Sequence, residues 1–415
     1  IVALFGGLLL SGALQTGQDD ELAPAAVATP LESPDGDTRA DILPDYLRVE
    51  EVEPGVFRVD NDGYRTFTRE VEQRDLGEMQ NFFAMVSQLT DHRIVAGLDG
   101  SLWTGTRDQR FFRLGSPETY DWSDIPDMEW FSDFEIAPDG RIWAVGRNTR
   151  HGVDGGLRSF DGDRWTVEKR IKPTPNNDRT DGFVTAVEVS PDGQVWATWV
   201  NDRYRSRVAR LDGDSWTTFA TPGRDLLADH RRFAVGSEGD VWTMLRVGDD
   251  LSRLHRLEGS ELQPSSPALR IGHFDAGPDG TAWMAAGPDV DLARHDGNSW
   301  TTFDGSPRPP QAGFHFQGLE GLFEVGPDGS LWYSPLDPDH VWACDGIANF
   351  DGTTVRHLLR DHCLYGGDIA PDGTAYVLAG RWGGAPEVDE DGGRFTSEPD
   401  AGPVQLYALP PTTDT

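Results

Sequence analysis

The segment EVGPDGSLW, residues 324–332, carries the clearest structural signal in the chain. Apolar and polar residues alternate on both sides of its Pro-Asp-Gly sequence, which is the pattern of two strands that each bury one face. Pro presets φ at the first central position of a tight turn, Asp suits the second, and Gly supplies the positive φ that follows. The segment is therefore predicted to form a β-hairpin.

The hairpin pattern occurs seven times, and Trp or Tyr stands three residues after every turn Gly. A second Asp-Gly hairpin follows most copies, so each unit contains four strands. The units recur about every 45 residues, which is the length of one propeller blade. The other copies of the first hairpin are VAGLDGSLW (95–103), EIAPDGRIW (135–143), EVSPDGQVW (188–196), AVGSEGDVW (234–242), DAGPDGTAW (275–283) and DIAPDGTAY (368–376), and the second hairpins are LRSFDGDRWTV (157–167), VARLDGDSWTTF (208–219), LARHDGNSWTTF (292–303), IANFDGTTV (347–355) and EDGGRFT (390–396).

The repeats predict an all-β fold over residues 46–415, a seven-bladed β-propeller of four-stranded antiparallel blades. The hairpin VFRVDNDGYRTF (56–67) lacks a partner hairpin, and VQLYALP (404–410) is a lone strand. Joining these two ends in one blade closes the ring and removes its exposed edges. Eight blades remain an alternative, because residues 390–396 could complete the seventh blade and leave the two ends to form another.

The repeats also resemble known families. GSLWTGT (100–106), with the repeated Pro-Asp-Gly pattern, resembles the two-component-regulator type of propeller repeat found in periplasmic sensor regions of bacterial receptors. GPDGTAW (277–283) and GPDGSLW (326–332) are similar to repeats of streptogramin lyases (virginiamycin B lyase-like), which are seven-bladed propellers. The resemblance covers residues 93–397. It implies a sensing propeller or a lyase that uses His, Glu and a magnesium ion, although no local motif here matches those catalytic residues.

Charge excludes one class of partner. The chain has 415 residues, 36 Lys and Arg against 70 Asp and Glu, and a net charge of −34. A surface this acidic repels nucleic acid and anionic membrane. Contact with a membrane is therefore expected only through an N-terminal anchor, and the protein is expected to be a monomer.

The N-terminal residues predict an extracytoplasmic protein. Residues 1–18 carry no charge and are mostly apolar, which is typical of a truncated signal peptide or, with more apolar sequence upstream, of a membrane anchor; a buried helix is the third interpretation. Residues 19–45 are acidic and rich in Ala and Pro, as in a disordered linker. Cys344 and Cys363 are predicted to form a disulfide in an exported chain, with two free buried thiols as the alternative.

The repeated aromatic and acidic residues have structural interpretations. The Trp and Tyr residues keep one register in the second strand, so they are predicted to pack between blades rather than to stack on sugars. The acids of the Asp-Gly turns are predicted to stabilise the turns, because each turn lacks the six or more oxygen ligands of a calcium site.

One face of the predicted propeller is the candidate binding surface. Both Asp-Gly turns of each blade lie on one face, whereas the longer loops lie on the other. Those loops gather Arg, His and aromatic side chains, which fits an anionic or partly apolar ligand; ordinary surface ion pairs are the alternative. The candidate ligand-binding residues are Arg147, Arg150, His151, Arg203, Arg205, His230, Arg231, Arg308, His315, His340, Arg381 and Trp382.

A second candidate site is a ring of acids on the first strands. Apolar neighbours flank each acid, so the alternation directs the carboxylates toward the central channel. They are predicted either to sit in channel water or to bind a divalent cation, Ca²⁺ or Mg²⁺; otherwise no cofactor is expected. These acids are Glu135, Glu188, Asp275, Glu324 and Asp368.

The sequence favours a non-catalytic binding or sensing module for a small molecule, a glycan or a protein. The alternative is a metal-dependent lyase or hydrolase with His230, His273, His315 or His340 as the base, although no catalytic constellation is recognisable. A protein–protein scaffold is the third hypothesis. The fold alone does not choose among these.

Overall fold

The computed structural model describes a large part of the unit Arg39–Thr415. The described ranges are 48–60, 93–106, 110–114, 119–121, 130–147, 156–170, 183–200, 206–220, 233–236, 239–247, 251–277, 279–287, 290–303, 322–335, 346–360, 362–381 and 405–411. The predicted signal or anchor (1–18), the predicted linker (19–45) and the hairpin at 390–396 lie outside them. Within the described ranges there is no helix with the length and hydrophobicity required to cross a bilayer.

The described chain forms 29 strands. They are β1 (Arg48–Glu53), β2 (Val56–Asp60), β3 (Arg93–Ala96), β4 (Leu102–Thr106), β5 (Arg110–Arg113), β6 (Thr119–Asp121), β7 (Trp130–Ile136), β8 (Ile142–Arg147), β9 (Gly156–Phe160), β10 (Trp165–Arg170), β11 (Phe183–Val189), β12 (Val195–Val200), β13 (Ser206–Asp212), β14 (Ser215–Ala220), β15 (Phe233–Val235), β16 (Val241–Arg246), β17 (Ser252–Glu258), β18 (Glu261–Pro264), β19 (Arg270–Ala276), β20 (Ala282–Gly287), β21 (Val290–His295), β22 (Trp300–Phe303), β23 (Phe323–Val325), β24 (Leu331–Tyr333), β25 (Ile347–Phe350), β26 (Val355–Leu358), β27 (His362–Ile369), β28 (Ala375–Arg381) and β29 (Gln405–Leu409).

These strands build seven antiparallel blades, which confirms the predicted fold. Blades one to six contain β3–β6, β7–β10, β11–β14, β15–β18, β19–β22 and β23–β26 in turn. The outer strands of blades three and four meet in one parallel pair, Ala220 with Glu261, so those two blades form one continuous sheet. The first strand of each blade contacts the first strand of the next, and β27 contacts β3, which closes the ring.

The seventh blade joins the two ends of the propeller, as the sequence predicts. Its order is β27, β28, β29, β2 and β1, so the C-terminal strand lies between the inner hairpin and the N-terminal hairpin. β2 pairs with β1 around Gly55, whereas the sequence predicted a hairpin partner after Asp62, in residues outside the described ranges. β1 is a fifth, outermost strand, and its exposed Glu50, Glu51 and Glu53 are the kind of charge that discourages pairing at a free edge.

The hydrophobic core lies between blades. Each apolar cluster combines the inner strands of two neighbouring blades, because one blade cannot bury both faces alone. The repeated aromatic residues are buried in these clusters, as predicted; Trp242 and Trp283 are fully buried and Trp103, the most exposed, is 7% exposed. The fold thus fixes the ends of the first and second strands on two opposite faces.

Candidate functional site

The two faces differ in what stands at the ends of the inner strands. The Asp-Gly face is defined as the face with the turns between first and second strands and between third and fourth strands. The long-loop face is the opposite one, where first strands begin and second strands end. On the Asp-Gly face all fourteen inner-strand ends are apolar, namely Ala96, Leu102, Ile136, Ile142, Val189, Val195, Val235, Val241, Ala276, Ala282, Val325, Leu331, Ile369 and Ala375.

The corresponding fourteen residues on the long-loop face form the candidate site, here called the mouth. Five of them are Arg, one is His, five are aromatic and none of the fourteen is acidic, although the chain has about two acids for each Lys or Arg. An Arg-rich rim fits an anionic ligand. Three of the aromatic residues, Phe233, Phe323 and Tyr333, are buried and belong to the core between blades. The mouth consists of Arg93, Thr106, Trp130, Arg147, Phe183, Val200, Phe233, Arg246, Arg270, Gly287, Phe323, Tyr333, His362 and Arg381.

Several aromatic and His residues of the mouth support its structure. His362 is buried, its Nε2 lies 3.4 Å from the Tyr407 hydroxyl, and its ring meets the Tyr407 ring edge-on. His273, a predicted candidate base, lies within β19 and stacks on Phe323 of the next blade with ring centroids 5.7 Å apart. The first of these contacts lies within blade seven, and the second joins blades five and six. His273 therefore belongs to a strand and packs against the next blade.

Blades four and five join at the mouth. Ser252 and Leu269 exchange two backbone hydrogen bonds of 2.7 and 2.9 Å. Arg246 pairs with Ser252 in the sheet, and Arg270 follows Leu269, so the bridge brings two mouth arginines onto neighbouring backbone segments. Arg270 is exposed. This joint is the best described part of the mouth.

The sequence prediction of ligand-binding residues selected loop residues rather than strand ends. Two of the twelve predicted ligand-binding residues, Arg147 and Arg381, lie in described residues, and both are the last residues of second strands rather than loop residues. Cys363 likewise belongs to β27 and not to a loop. The remaining candidates lie outside the described ranges, together with Cys344: Arg150, His151, Arg203, Arg205, His230, Arg231, Arg308, His315, His340 and Trp382.

Three arginines of the mouth escaped the sequence prediction. Arg93, Arg246 and Arg270 are strand ends, and no loop-based count includes them. Their position in the repeat could have identified them. Counting residues outward from each turn Gly along the alternating strands locates both ends of the inner hairpin.

The acids of the Asp-Gly face accept hydrogen bonds from the amides of their own turns, as predicted. Asp328 Oδ1 accepts the amide of Ser330 at 2.9 Å, and Asp279, Asp139 and Asp372 accept the equivalent amides at 2.8–3.0 Å. In the second hairpins, Asp296 accepts from Asn298 and Ser299. The Ser299 amide contributes most to lowering the pKa of Asp296. The Asp296 carboxylate stays ionised because these turn amides favour its charged form.

Arginines of this face also contact other groups of the protein. In blades three to five an Arg of the third strand pairs opposite the buried Trp of the second strand and places its guanidinium carbon 5.6 Å from the ring centre. Arg256 also binds Asp240 at 2.6 Å and the Gly297 carbonyl of the next blade at 3.4 Å. The Trp283 indole N–H donates to the Gly329 carbonyl of blade six at 3.1 Å. The Asp-Gly face thus uses its charges to hold blades together.

Acids of the channel bind backbone amides of the next blade. Asp275 Oδ2 accepts from Val325 at 2.7 Å, Glu324 Oε2 from Ile369 at 3.1 Å, and Asp368 Oδ2 from Ala96 at 2.7 Å. In blade two a neighbouring acid, Asp133, accepts from Val187 at 3.1 Å. The first strands are sheet edges, so these carboxylates satisfy amides that no strand can pair.

Burial raises the pKa of two channel acids. It raises the pKa of Asp275 to about 6, against hydrogen bonds from Val325 and Ala276 that lower it. It also raises the pKa of Glu324 well above its usual value, and the negative charge of Asp368 and a hydrogen bond to it raise it further. Within the described residues no three His, Cys, Asp or Glu side chains are arranged as metal ligands. A divalent cation at Glu135, Glu188, Asp275, Glu324 and Asp368 stays a prediction.

Comparison with known proteins shows no family for this chain. Neither protein-family models nor curated proteins match the chain. Among similar solved structures, one of streptogramin B lyase is 13% identical, with a TM-score of 0.48 over 78% of this chain and 93% of the lyase chain. Another, of YCF48 bound to D1 peptide, is 11% identical, with a TM-score of 0.47 over 78% of this chain and 94% of the YCF48 chain. The likeness concerns the propeller fold alone.

Proposed function

We propose that this propeller is a non-catalytic binding module and that its mouth takes an anionic ligand. The observation that carries the proposal is the composition of the mouth: five Arg and no acid at fourteen strand ends of a chain with a charge of −34. Arg binds carboxylate and phosphate groups with paired hydrogen bonds.

The other charged regions are less suited to a ligand because their groups stabilise the propeller. Turn acids accept turn amides, arginines of the Asp-Gly face contact Trp and Asp, and channel acids accept amides of the next blade. A ligand on those surfaces would have to displace contacts that hold the propeller together. At the mouth, the described Arg270 is exposed.

The proposal is tested with a fluorescent peptide that alternates Glu and Phe, compared with Gln/Phe and Lys/Phe versions. The full chain is expected to bind the acidic peptide at least about tenfold more tightly than the neutral one, which corresponds to about 1.4 kcal/mol. The basic peptide should bind, if at all, to acidic surfaces elsewhere. Fluorescence anisotropy measures all three affinities.

A pair of variants locates the site. Arg147→Gln with Arg381→Gln removes two charges from the mouth. Arg141→Gln with Arg164→Gln removes two from the Asp-Gly face, where the Arg141 side chain is 40% and the Arg164 side chain 79% exposed. The mouth variant should weaken binding of the acidic peptide about tenfold, whereas the control should bind like the wild type. Equal affinities for the three peptides, or equal losses in the two variants, would rule out the mouth as an anion site.

We also propose that the protein is located outside the cytoplasm. Its support is the uncharged, mostly apolar composition of residues 1–18, followed by the acidic Ala/Pro-rich residues 19–45. Fractionation of cells that express the natural gene tests the location: recovery with secreted, periplasmic or membrane fractions supports it, and exclusive recovery with cytoplasmic proteins contradicts it.

A further inference from the structure

The described part of the chain has three exposed large apolar side chains, and two of them lie side by side on the long-loop face. Val247 is 41% and Leu251 is 42% exposed. The Val247 amide donates to the Leu251 carbonyl at 2.9 Å, one step beyond Arg246 and Ser252, the last ladder pair of β16 and β17. Residues 248–250, which connect them and include two Asp, lie outside the described ranges. The two side chains therefore extend the sheet of blade four into solvent beside the mouth.

An arginine lies on the same face of this strand pair. Residues opposite each other in an antiparallel pair project to one face, and so do residues two apart on a strand. Arg253 pairs with Leu245, and both lie two residues from the exposed apolar pair, so all four side chains share a face. This face is turned toward blade three, because Val241 in the same register packs against Trp196 and Phe219 there. Leu245 is fully buried, so this apolar strip runs from the core to solvent, with Arg253 at the boundary.

The guanidinium of Arg253 has a donor without an acceptor. Its Nε atom is buried and forms no hydrogen bond, and none of the ion pairs among the described residues includes Arg253. Three residues further along β17, by contrast, the Nε atom of Arg256 donates to Asp240 at 3.1 Å. A buried donor without a partner is costly, so an acceptor that reaches Arg253 is favoured.

We propose that this strip binds a linear aliphatic carboxylate, whose carboxylate accepts hydrogen bonds from Arg253 and whose alkyl chain covers Leu251 and Val247. A guanidinium binds a carboxylate through two parallel N–H donors, and covering the exposed side chains removes apolar surface from water. A linear chain matches the strip, because successive side chains on one face of a strand are about 7 Å apart and follow a line outward from the arginine. The adjacent mouth, with five Arg and no acid, adds complementary charge. This ligand class is a special case of the anion proposed above, so it rests on the proposed function.

The probe is octanoate, titrated into the full chain by calorimetry and compared with acetate and octanamide. Octanoate is expected to bind at least about tenfold more tightly than either compound, because acetate lacks the chain and octanamide lacks the charge. N-acetylleucine presents a carboxylate beside a peptide bond and represents a peptide C-terminus. Octanoate binding that is no tighter than that of octanamide, or weaker than that of N-acetylleucine, would overturn the proposed ligand class.

Two variants with matched controls locate the site. Arg253→Gln should weaken octanoate binding about tenfold and bring its affinity close to that of octanamide. Leu251→Asn should weaken octanoate binding about fivefold, because the alkyl chain loses its apolar contact. The controls are Arg141→Gln on the Asp-Gly face and Val52→Asn on β1, whose side chains are each 40% exposed, and both should bind octanoate like the wild type.

The variants keep the test informative even where one of them fails to fold. Leu251→Asn changes an exposed residue, and Arg253→Lys keeps the charge but lacks the paired donors, so it should bind octanoate more weakly than the wild type. Circular dichroism checks that each variant is folded.

The outcomes also separate this ligand from the proposed function. Suppose that the acidic peptide binds in a manner that depends on Arg147 and Arg381, but that octanoate does not bind or is weakened equally by site and control variants. The aliphatic carboxylate is then wrong and the anion-binding mouth stands. Absence of binding to both the acidic peptide and octanoate overturns both proposals.

Discussion

The two faces of this propeller are built from the same repeat and have opposite chemistry. On the Asp-Gly face the inner strands end in apolar residues, and the turns satisfy their own acids. On the long-loop face the same strands end in Arg, His and aromatic residues, with no acid among the fourteen ends. One face is fixed by the repeat, because each turn must also fit its neighbouring blade. The other face varies between blades, and variable loops on a fixed scaffold are where binding sites usually occur.

The largest loss of stability is expected from a substitution that affects the Asp-Gly face. Trp283→Ala removes a fully buried ring, its bond to the Gly329 carbonyl and the surface under Arg294, so we expect a loss of about 3–5 kcal/mol in the free energy of unfolding. Arg270→Gln at the mouth should change it by less than about 0.5 kcal/mol. Urea titrations of both variants measure the two values. Similar losses would contradict the division between a structural and a binding face.

The next prediction concerns a brace on the long-loop face. The Gly346 amide donates to the His362 carbonyl at 3.0 Å, which brings the segment after Cys344 to the residue before Cys363. We expect these cysteines to form a disulfide that contributes about 3 kcal/mol, as estimated for a loop of this length. Thiol titration of the unfolded, unreduced protein should find no free thiol. Cys363→Ser and the reduced wild type should lose the same stability, and two titratable thiols would refute the brace.

Substitution by Ala is expected to destabilise the protein by different amounts at two turn glycines. Gly280 and Gly100 occupy the same turn position with φ of +78° and +77°, so Ala at either site meets the same backbone strain. A Cβ at Gly280 would lie 2.6 Å from Asp240 Oδ2, whereas a Cβ at Gly100 would meet no atom within 4 Å. Gly280→Ala should therefore cost about 1 kcal/mol more than Gly100→Ala. Equal unfolding free energies would mean that the contact between neighbouring turns contributes nothing.

Most of the fold could be predicted from the sequence, because a short segment specifies each hairpin and that segment is repeated. The Pro-Asp-Gly turn, the flanking alternation and the aromatic residue three positions later define each hairpin within nine residues. The lone strand at Gln405–Leu409 also revealed the closing blade. The hairpin partner of β2 was wrong, because Asp62-Gly63 gives a stronger turn signal than the Pro54-Gly55 turn that the chain uses.

The site was harder to predict because its contacts are not local. The acids at Asp275 and Glu324 were identified from alternation, but their amide partners belong to the next blade, 50 and 45 residues further along the chain. The Arg–Trp contacts depend on cross-strand register, which the sequence leaves open where loop lengths differ between blades. Arginines in loops could be counted, whereas arginines at strand ends required the strand boundaries.

Hydrogen–deuterium exchange of the full chain, with and without the peptide that alternates Glu and Phe, tests the division between the faces most directly. We expect the peptide to slow exchange at the mouth, around Arg93, Arg147, Arg246, Arg270 and Arg381, and to leave the turns around Gly140, Gly193 and Gly329 unchanged. Protection of those turns, with the mouth unchanged, would contradict the assignment of binding to the long-loop face.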